Sequence, residues 1–237
     1  MATFGTLRTC FTNAETLQRC YIANMLSRSR SSRGRPRNAP AAFIPVCVPS
    51  VSQRPPRGPG WAHELKHDSY RLQIHVRDGR VRLYTMNGAD WTPRYPLVVA
   101  EASRLDGSVI IDAEVVCAGE DGVPDFELLH DRINDHIAIA CAFDFLMLNG
   151  EDLRRKPFAD RKAALRKLLR RSRDEIQYVE HTEGDGEEMF QVACKLGFEG
   201  IVSKRIDAPY RSGPARSWLK IRNPKAPAAT RAQDGTF

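Results

Sequence analysis

The sequence predicts an α+β domain whose strands run mostly antiparallel. Three observations carry this. Leu72, Ile74 and Val76 alternate with Gln73, His75 and Arg77, then Asp78-Gly79 turns the chain into Val81, Leu83 and Tyr84. This is the pattern of a hairpin with one buried face and a tight turn. Two later apolar runs, Val109–Val116 and Ile137–Leu148, read as buried strands that carry acids inside them. Two further segments, Phe158–Arg173 and Gly184–Leu196, have helical spacing. Strands and helices do not alternate regularly, so a doubly wound parallel sheet is not expected.

Taken in order, residues 1–40 have no clear periodicity and include Ser27-Arg28-Ser29-Arg30-Ser31-Ser32-Arg33. Such a composition buries too little apolar surface to offset the entropy of ordering, so it reads as a disordered Arg/Ser-rich leader. A transit peptide, a polyanion-binding arm and a start codon placed too far upstream all fit the same composition. Residues 41–60 are Pro-rich and read as an extended lead-in lying on the domain surface. The folded body is expected over residues 61–224. Asn87-Gly88 marks a turn, Leu97–Leu105 a short helix, and Asn149-Gly150 the end of the second apolar run. In the first helical segment Ala164, Leu165, Leu168 and Leu169 share a face, with the arginines opposite. Gly200–Val202 and Trp218–Ile221 read as short strands, and residues 225–237 as a flexible tail. There is no internal repeat.

The chain of 237 residues is 42% hydrophobic and 27% charged, with a net charge of +7. That charge is unevenly placed. Residues 1–60 hold nine arginines, no lysine and one acid, Glu15, whereas the rest holds 27 basic and 28 acidic side chains. A nucleic-acid face on the body must therefore come from local clustering. Six cysteines lie far apart without metal-ligand spacing and read as reduced thiols, which suggests a cytoplasmic setting. No apolar run is long enough to span a bilayer, so no membrane association is expected.

The chemistry-bearing residues sit at strand ends. Lys66 lies in Glu64-Leu65-Lys66-His67-Asp68-Ser69-Tyr70-Arg71. A lysine amine that sheds its proton is a nucleophile, and attack on the α-phosphate of a nucleoside triphosphate gives a lysyl-phosphoramidate. Alone, Lys-x-Asp is a frequent chance triplet whose plain reading is an exposed strand lysine. Asp112 and Glu114, two apart in a strand, point to one sheet face. Lys204 and Lys220 also sit among apolar residues. Each taken singly reads as an edge charge or a structural ion pair; together they suit a triphosphate with its divalent metal.

The order Lys66-His67-Asp68-Ser69-Tyr70-Arg71, Asp112-Ala113-Glu114, Ala142-Phe143-Asp144-Phe145-Leu146, Glu199-Gly200-Ile201-Val202-Ser203-Lys204 and Trp218-Leu219-Lys220-Ile221 resembles the successive nucleotidyltransferase motifs of ATP-dependent DNA ligases. The nearest resemblance is to the adenylation domain of bacterial non-homologous end-joining ligases, from about Phe43 to Pro224. It implies an antiparallel-sheet, ATP-grasp-like nucleotidyltransferase fold. It also implies that Lys66 becomes adenylated, Glu64 meets the adenine amino group and Phe143 stacks on the purine. Arg71 and Glu114 would hold the ribose and phosphates, Glu199 with Glu114 a Mg2+ or Mn2+ ion, and Lys204 and Lys220 the triphosphate. AMP would pass from ATP to the lysine, then to the 5′-phosphate of nicked or broken double-stranded DNA in the bacterial nucleoid, before a 3′-hydroxyl seals the nick.

The chain departs from the family pattern in places. Ser69 stands where the family has glycine, which costs about 1 kcal/mol if that turn needs φ > 0. Met86 stands where an arginine is usual, and Arg222 where a lysine is. The sequence ends soon after Lys220, so no C-terminal OB-fold is expected within it, and a separate OB-fold or end-joining protein is the implied partner. Two further readings stay open: a truncated, catalytically impaired remnant that only binds nucleotide or nucleic acid, and an RNA ligase or capping-type nucleotidyltransferase.

Overall fold

A computed structural model describes residues 43–119, 124–172 and 174–226. The leader expected at 1–40 and most of the tail expected at 225–237 lie outside them.

The hairpin forms where the alternation puts it. β3 (Tyr70–Arg77) pairs antiparallel with β4 (Arg80–Thr85). Asp78 and Gly79 both take positive φ, 48° and 73°, the twist that a two-residue hairpin turn requires. Asn149 and Gly150 repeat this device, with φ of 50° and 87°, between β6 (Ile139–Leu148) and β7 (Glu151–Asp152). β5 (Val109–Val116) joins β3 to β6, giving the order β4-β3-β5-β6-β7, with β8 (Ile176–Tyr178) parallel to β6.

A second sheet has the order β1-β11-β10-β2-β9, from β1 (Cys47–Val51), β2 (Trp61–Lys66), β9 (Thr182–Glu183), β10 (Gly200–Arg205) and β11 (Gly213–Arg222). The β1–β11 pair is parallel and the other pairs of this sheet are antiparallel. The expected α+β, mostly antiparallel architecture is what forms.

Strand periodicity sets the layers. On β5, Val109, Ile111, Ala113 and Val115 pack with α1 (Pro96–Ala102) and α3 (Phe158–Leu169) in one core, whereas Ile110 and Val116 face the second sheet. A strand covered on both faces reads as a continuous apolar run, as Val109–Val116 does. The seam between the sheets gathers Ile44, Cys47, Ile110, Phe143, Tyr210 and Trp218. On the outer face of the second sheet, Ile201 and Ile221 pack against Ala193 of α4 (Gly186–Lys195) and against Phe198. The remaining helix, α2 (Phe126–His130), is capped by Asp125. Among the described residues no helix is long and apolar enough to cross a membrane.

The structure differs from the sequence expectations at several points. Residues 47–51, within the expected surface lead-in, form β1, and Ile44, Val46 and Cys47 are buried. The expected helix at 97–105 ends at Ala102, ahead of the Gly107 turn, and the helix from Phe158 ends at Leu169. The strands at 200 and 218 are longer than expected, because polar residues alternate along them instead of ending them. Arg161 is buried on α3, against the expectation that the arginines lie opposite its apolar face, and Lys162 is buried beside it. Both fall on the Phe158–Leu165–Leu169 stripe, so helical spacing carries them inward.

Arg161 explains how such burial is tolerated. Its Nε and an Nη donate to the two carboxylate oxygens of Asp144 at 2.7 and 2.9 Å, and the other Nη donates to the carbonyls of Lys156 and Ala208. Both side chains are wholly buried. Asp144→Asn leaves a buried guanidinium without its counter-charge and is expected to lower the unfolding free energy by about 3–5 kcal/mol. Asp144→Leu combined with Arg161→Met is expected to cost much less, as read from urea unfolding of both variants beside the unaltered chain.

Candidate active site

The register of the second sheet assembles one charged face. Glu64 stands opposite Val202 and Lys66 opposite Gly200 in the β2–β10 pair; Val202 stands opposite Lys220 and Lys204 opposite Trp218 in the β10–β11 pair. Residues directly opposite share a face, as do residues two apart. Glu64, Lys66, Val202, Lys204, Trp218, Lys220 and Arg222 therefore look the same way, toward the first sheet. From that sheet Arg71, Glu114 and Phe143 close a cleft whose walls also include Glu64, His67, Val202, Lys204 and Trp218. The water-accessible space within it is about 40 Å³, room for a few waters.

Lys66 ends β2 at the mouth of the cleft, where its side chain keeps 18% exposure and its Nζ lies 2.6 Å from Glu199 Oε2. Glu199 is held there by Gly200, whose φ is 146° and whose backbone runs so close to β11 that a Cβ would fall 2.0 Å from the Ile221 carbonyl oxygen. Arg222 approaches the other Glu199 oxygen at 3.9 Å. Lys220 stands two residues before Arg222 on β11, opposite Val202; burial, then Arg222 and Lys66, hold its ammonium below the usual lysine range. The mouth thus gathers Lys66, Lys220 and Arg222 about one carboxylate, an arrangement suited to a polyanion.

The floor is dry. Glu64 is buried, with Oε2 accepting from Lys204 and Oε1 lying 2.8 Å from Lys162 Nζ. Burial alone favours its neutral form, but the two lysines outweigh burial and hold its carboxyl below the usual range. Lys204 Nζ stands 4.2 Å from the Trp218 ring centre and 4.4 Å from that of Phe143. Lys204, which the resemblance assigns to the triphosphate, has its ammonium paired with buried Glu64, and burial depresses its pKa. Arg71 is likewise engaged, donating to both oxygens of Asp112 at 3.0 and 2.7 Å and to the Cys47 carbonyl at 2.7 Å. Its guanidinium lies 5.1 Å from the Phe143 ring centre and steadies that wall. Glu114, opposite Arg71 in the sheet, lines the cleft and is only partly buried.

Ser69 does not take the conformation that would have made it costly. Among the described non-glycine residues only Asp78, Arg132 and Asn149 have positive φ, so the turn after Lys66 carries no left-handed serine. Met86 is half exposed at the end of the hairpin, outside the cleft lining. Sequence reasoning missed Lys162, Val202 and Tyr210. The first was signalled by its place on the apolar stripe of α3, and the second by its register opposite Glu64, which only the paired strands reveal.

The chain matches the family model "ATP dependent DNA ligase domain" over residues 50–222. It is 37% identical over 178 residues to the multifunctional non-homologous end joining protein LigD of Pseudomonas aeruginosa, covering 73% of this chain but 21% of that protein. It is 30% identical to the SPbeta prophage-derived DNA ligase-like protein LigB of Bacillus subtilis, covering 76% of this chain and 67% of the relative. The ligase domain of Mycobacterium tuberculosis LigD superposes with a TM-score of 0.69 at 32% identity, covering 75% of this chain and 58% of that one. The chain spans about a fifth of the length of the LigD proteins it matches.

His67, next to Lys66, is buried against Phe198, and burial followed by the Lys66 charge pushes its pKa down to about 4. His75 is also lowered to about 4, by burial. Each is neutral in the fold, while an unfolded histidine takes a proton near pH 6.5. Their contribution is therefore complete above about pH 6.5 and is lost as the pH falls toward 4. Urea midpoints measured from pH 7 to pH 4 are expected to fall, by up to about 3 kcal/mol per histidine. His67→Leu is expected to remove part of that fall.

Proposed function

The chain belongs to the ATP-dependent DNA ligase family, in the adenylation (nucleotidyltransferase) domain, and from that premise we propose that Lys66 is the residue it adenylates. One observation carries this reading: Lys66, Glu199 and Lys220 meet at the wet mouth of a cleft whose dry floor holds Glu64 and Phe143. A nucleotide has the same polarity, an apolar base at one end and a charged triphosphate at the other. The base lies between Phe143 and Val202, with its amino group toward Glu64 Oε1, a buried oxygen that has no aligned hydrogen bond of its own. The phosphates lie toward Lys66, Lys220 and Arg222.

In the reaction the Lys66 amine attacks the α-phosphorus, an N–P bond forms, the bond to the pyrophosphate oxygen breaks, and the proton on nitrogen passes to solvent, which reaches the part-exposed side chain. Attack needs the lone pair on nitrogen, so the 2.6 Å pair with Glu199 must open first. Lys220 and Arg222, close to Lys66 and Glu199, offset the charge of the departing pyrophosphate.

No three His, Cys, Asp or Glu side chains among the described residues come together as a metal cage. One or two carboxylates suffice for an ion that arrives on the triphosphate, because Mg2+ keeps its waters and takes further ligands from phosphate oxygens. Glu199, with Glu114 across the cleft, would hold that ion, which supplies further charge neutralisation.

AMP then passes to the 5′-phosphate of nicked or broken double-stranded DNA, in end-joining repair within the bacterial cytoplasm, with an OB-fold or end-joining protein as the partner that closes over the DNA. The comparisons support the ligase family; the residue roles, the nick and the partner are part of this proposal. Incubation with α-labelled ATP and Mg2+ or Mn2+ is expected to give a covalently labelled chain that pyrophosphate reverses. Lys66→Ala is expected to abolish the label. A folded chain that takes no label above Lys66→Ala overturns the reading.

A further inference from the structure

Lys162 has no part in the chemistry at Lys66, yet it is a wholly buried charge in contact with the cleft wall. It projects from α3, which covers the first sheet, and reaches Glu64 on the second. Its Nζ donates to the Val179 carbonyl at 2.6 Å and stands 4.0 Å from the Tyr178 ring centre, so its position is fixed independently of Glu64. Lys204 already balances the Glu64 charge from the neighbouring strand. A second buried ammonium on the same carboxylate is costly unless it does something the first does not. Lys204 engages Oε2; Lys162 lies beside Oε1, the oxygen left without an aligned hydrogen bond.

We propose that Lys162 is a positioning residue for nucleotide choice, pinning Glu64 Oε1 so that its spare lone pair accepts the amino group of a 6-aminopurine nucleoside triphosphate and repels the oxygen of a 6-oxopurine. The inference rests on the adenylation reading and adds to it the source of base selectivity. A carboxylate only accepts hydrogen bonds, whereas a protonated carboxyl also donates one. Between two lysines Glu64 is held in the accepting form. With Lys204 alone, in so dry a site, the carboxyl is freer to take a proton and to turn, and an O–H can then donate to a 6-oxo oxygen. Sites that leave a buried polar group unpaired discriminate strongly between substrates.

The test compares ATP, purine riboside triphosphate and inosine triphosphate, which carry an amino group, a hydrogen and an oxo group at position 6. It is read in two ways on the full chain, by covalent labelling and by titration calorimetry. The unaltered chain is expected to prefer them in that order. Lys162→Met is expected to cut the ATP to inosine triphosphate ratio of kcat/KM by about tenfold or more, through KM for ATP. Glu64→Gln, which presents an amide, is expected to cut it as well, and Lys162→Met in the Glu64→Gln background is expected to have no further effect, because the lysine acts through Glu64.

An unchanged ratio in a folded Lys162→Met chain overturns the proposal, as does a further loss in the Glu64→Gln background, which marks a merely structural lysine. If Lys162→Met does not fold, the unaltered chain decides: inosine triphosphate accepted as well as purine riboside triphosphate overturns the proposal. Selective binding by calorimetry without any labelling sinks the catalytic reading and upholds this one. Labelling without selectivity does the reverse.

Discussion

The constraint on which this structure depends is the cost of placing charge between two sheets. Glu64, Asp112 and Asp144 are all buried there, and each is paired to a cation or donor from a different element. Asp112 on β5 takes Arg71 of β3 and the hydroxyl of Tyr210, which in turn accepts from the Cys47 amide of β1. Asp144 on β6 takes Arg161 of α3. Glu64 on β2 takes Lys162 of α3 and Lys204 of β10. A paired buried charge adds little net stability over an apolar substitute, but an unpaired one is ruinous. Such pairs therefore act by excluding other arrangements. Two of these contacts, from Tyr210 to Asp112 and from Lys162 to Glu64, run between the layer of the first sheet and that of the second, beside the cleft.

The same constraint grades the cleft. At its floor the charges are desolvated and mutually committed, so they hold shape and present one spare acceptor. At its mouth Lys66, Glu199, Lys220 and Arg222 keep contact with water and are joined by a single short pair, with the other contact at 3.9 Å. Groups in water rearrange at little cost, while groups in a dry seam do not. Binding selectivity belongs at the rigid end and bond-making at the adaptable end. Gly200 ties the two, because its close approach to Ile221 sets where Glu199 stands relative to Lys66.

Much of this was legible in the sequence, for local reasons. The hairpin follows from alternation and Asp78-Gly79, and β5 matches its expected bounds because a doubly covered strand is an unbroken apolar run. Of the cleft residues, Glu114 and Lys204 stood out as charges in apolar strands, whereas Glu64, Arg71 and Phe143 were marked only by the family resemblance. Three things were not legible. β1 has a proline inside five residues and is held by its parallel partner β11, so its own pattern is weak. Arg161 was set with the arginines opposite the apolar face because charge outweighed spacing in the reading, and Lys162 was passed over, although both lie on the stripe defined by Phe158 and Leu165. The engagement of Lys204 and Arg71 was invisible because their partners, Glu64 and Asp112, lie far away in sequence and opposite in charge to no particular neighbour.

The balance between a working domain and a remnant turns on these buried charges. Two lysines and a glutamate in the seam add little net stability over well-packed apolar residues of like volume. The departures from the family pattern leave these three charges in place. Ser69 incurs no left-handed strain, Met86 is half exposed outside the cleft lining, and Arg222 keeps its charge within reach of Glu199. The altered positions are those that cost the fold least, and the residues of the proposed nucleotide site remain assembled around the cleft.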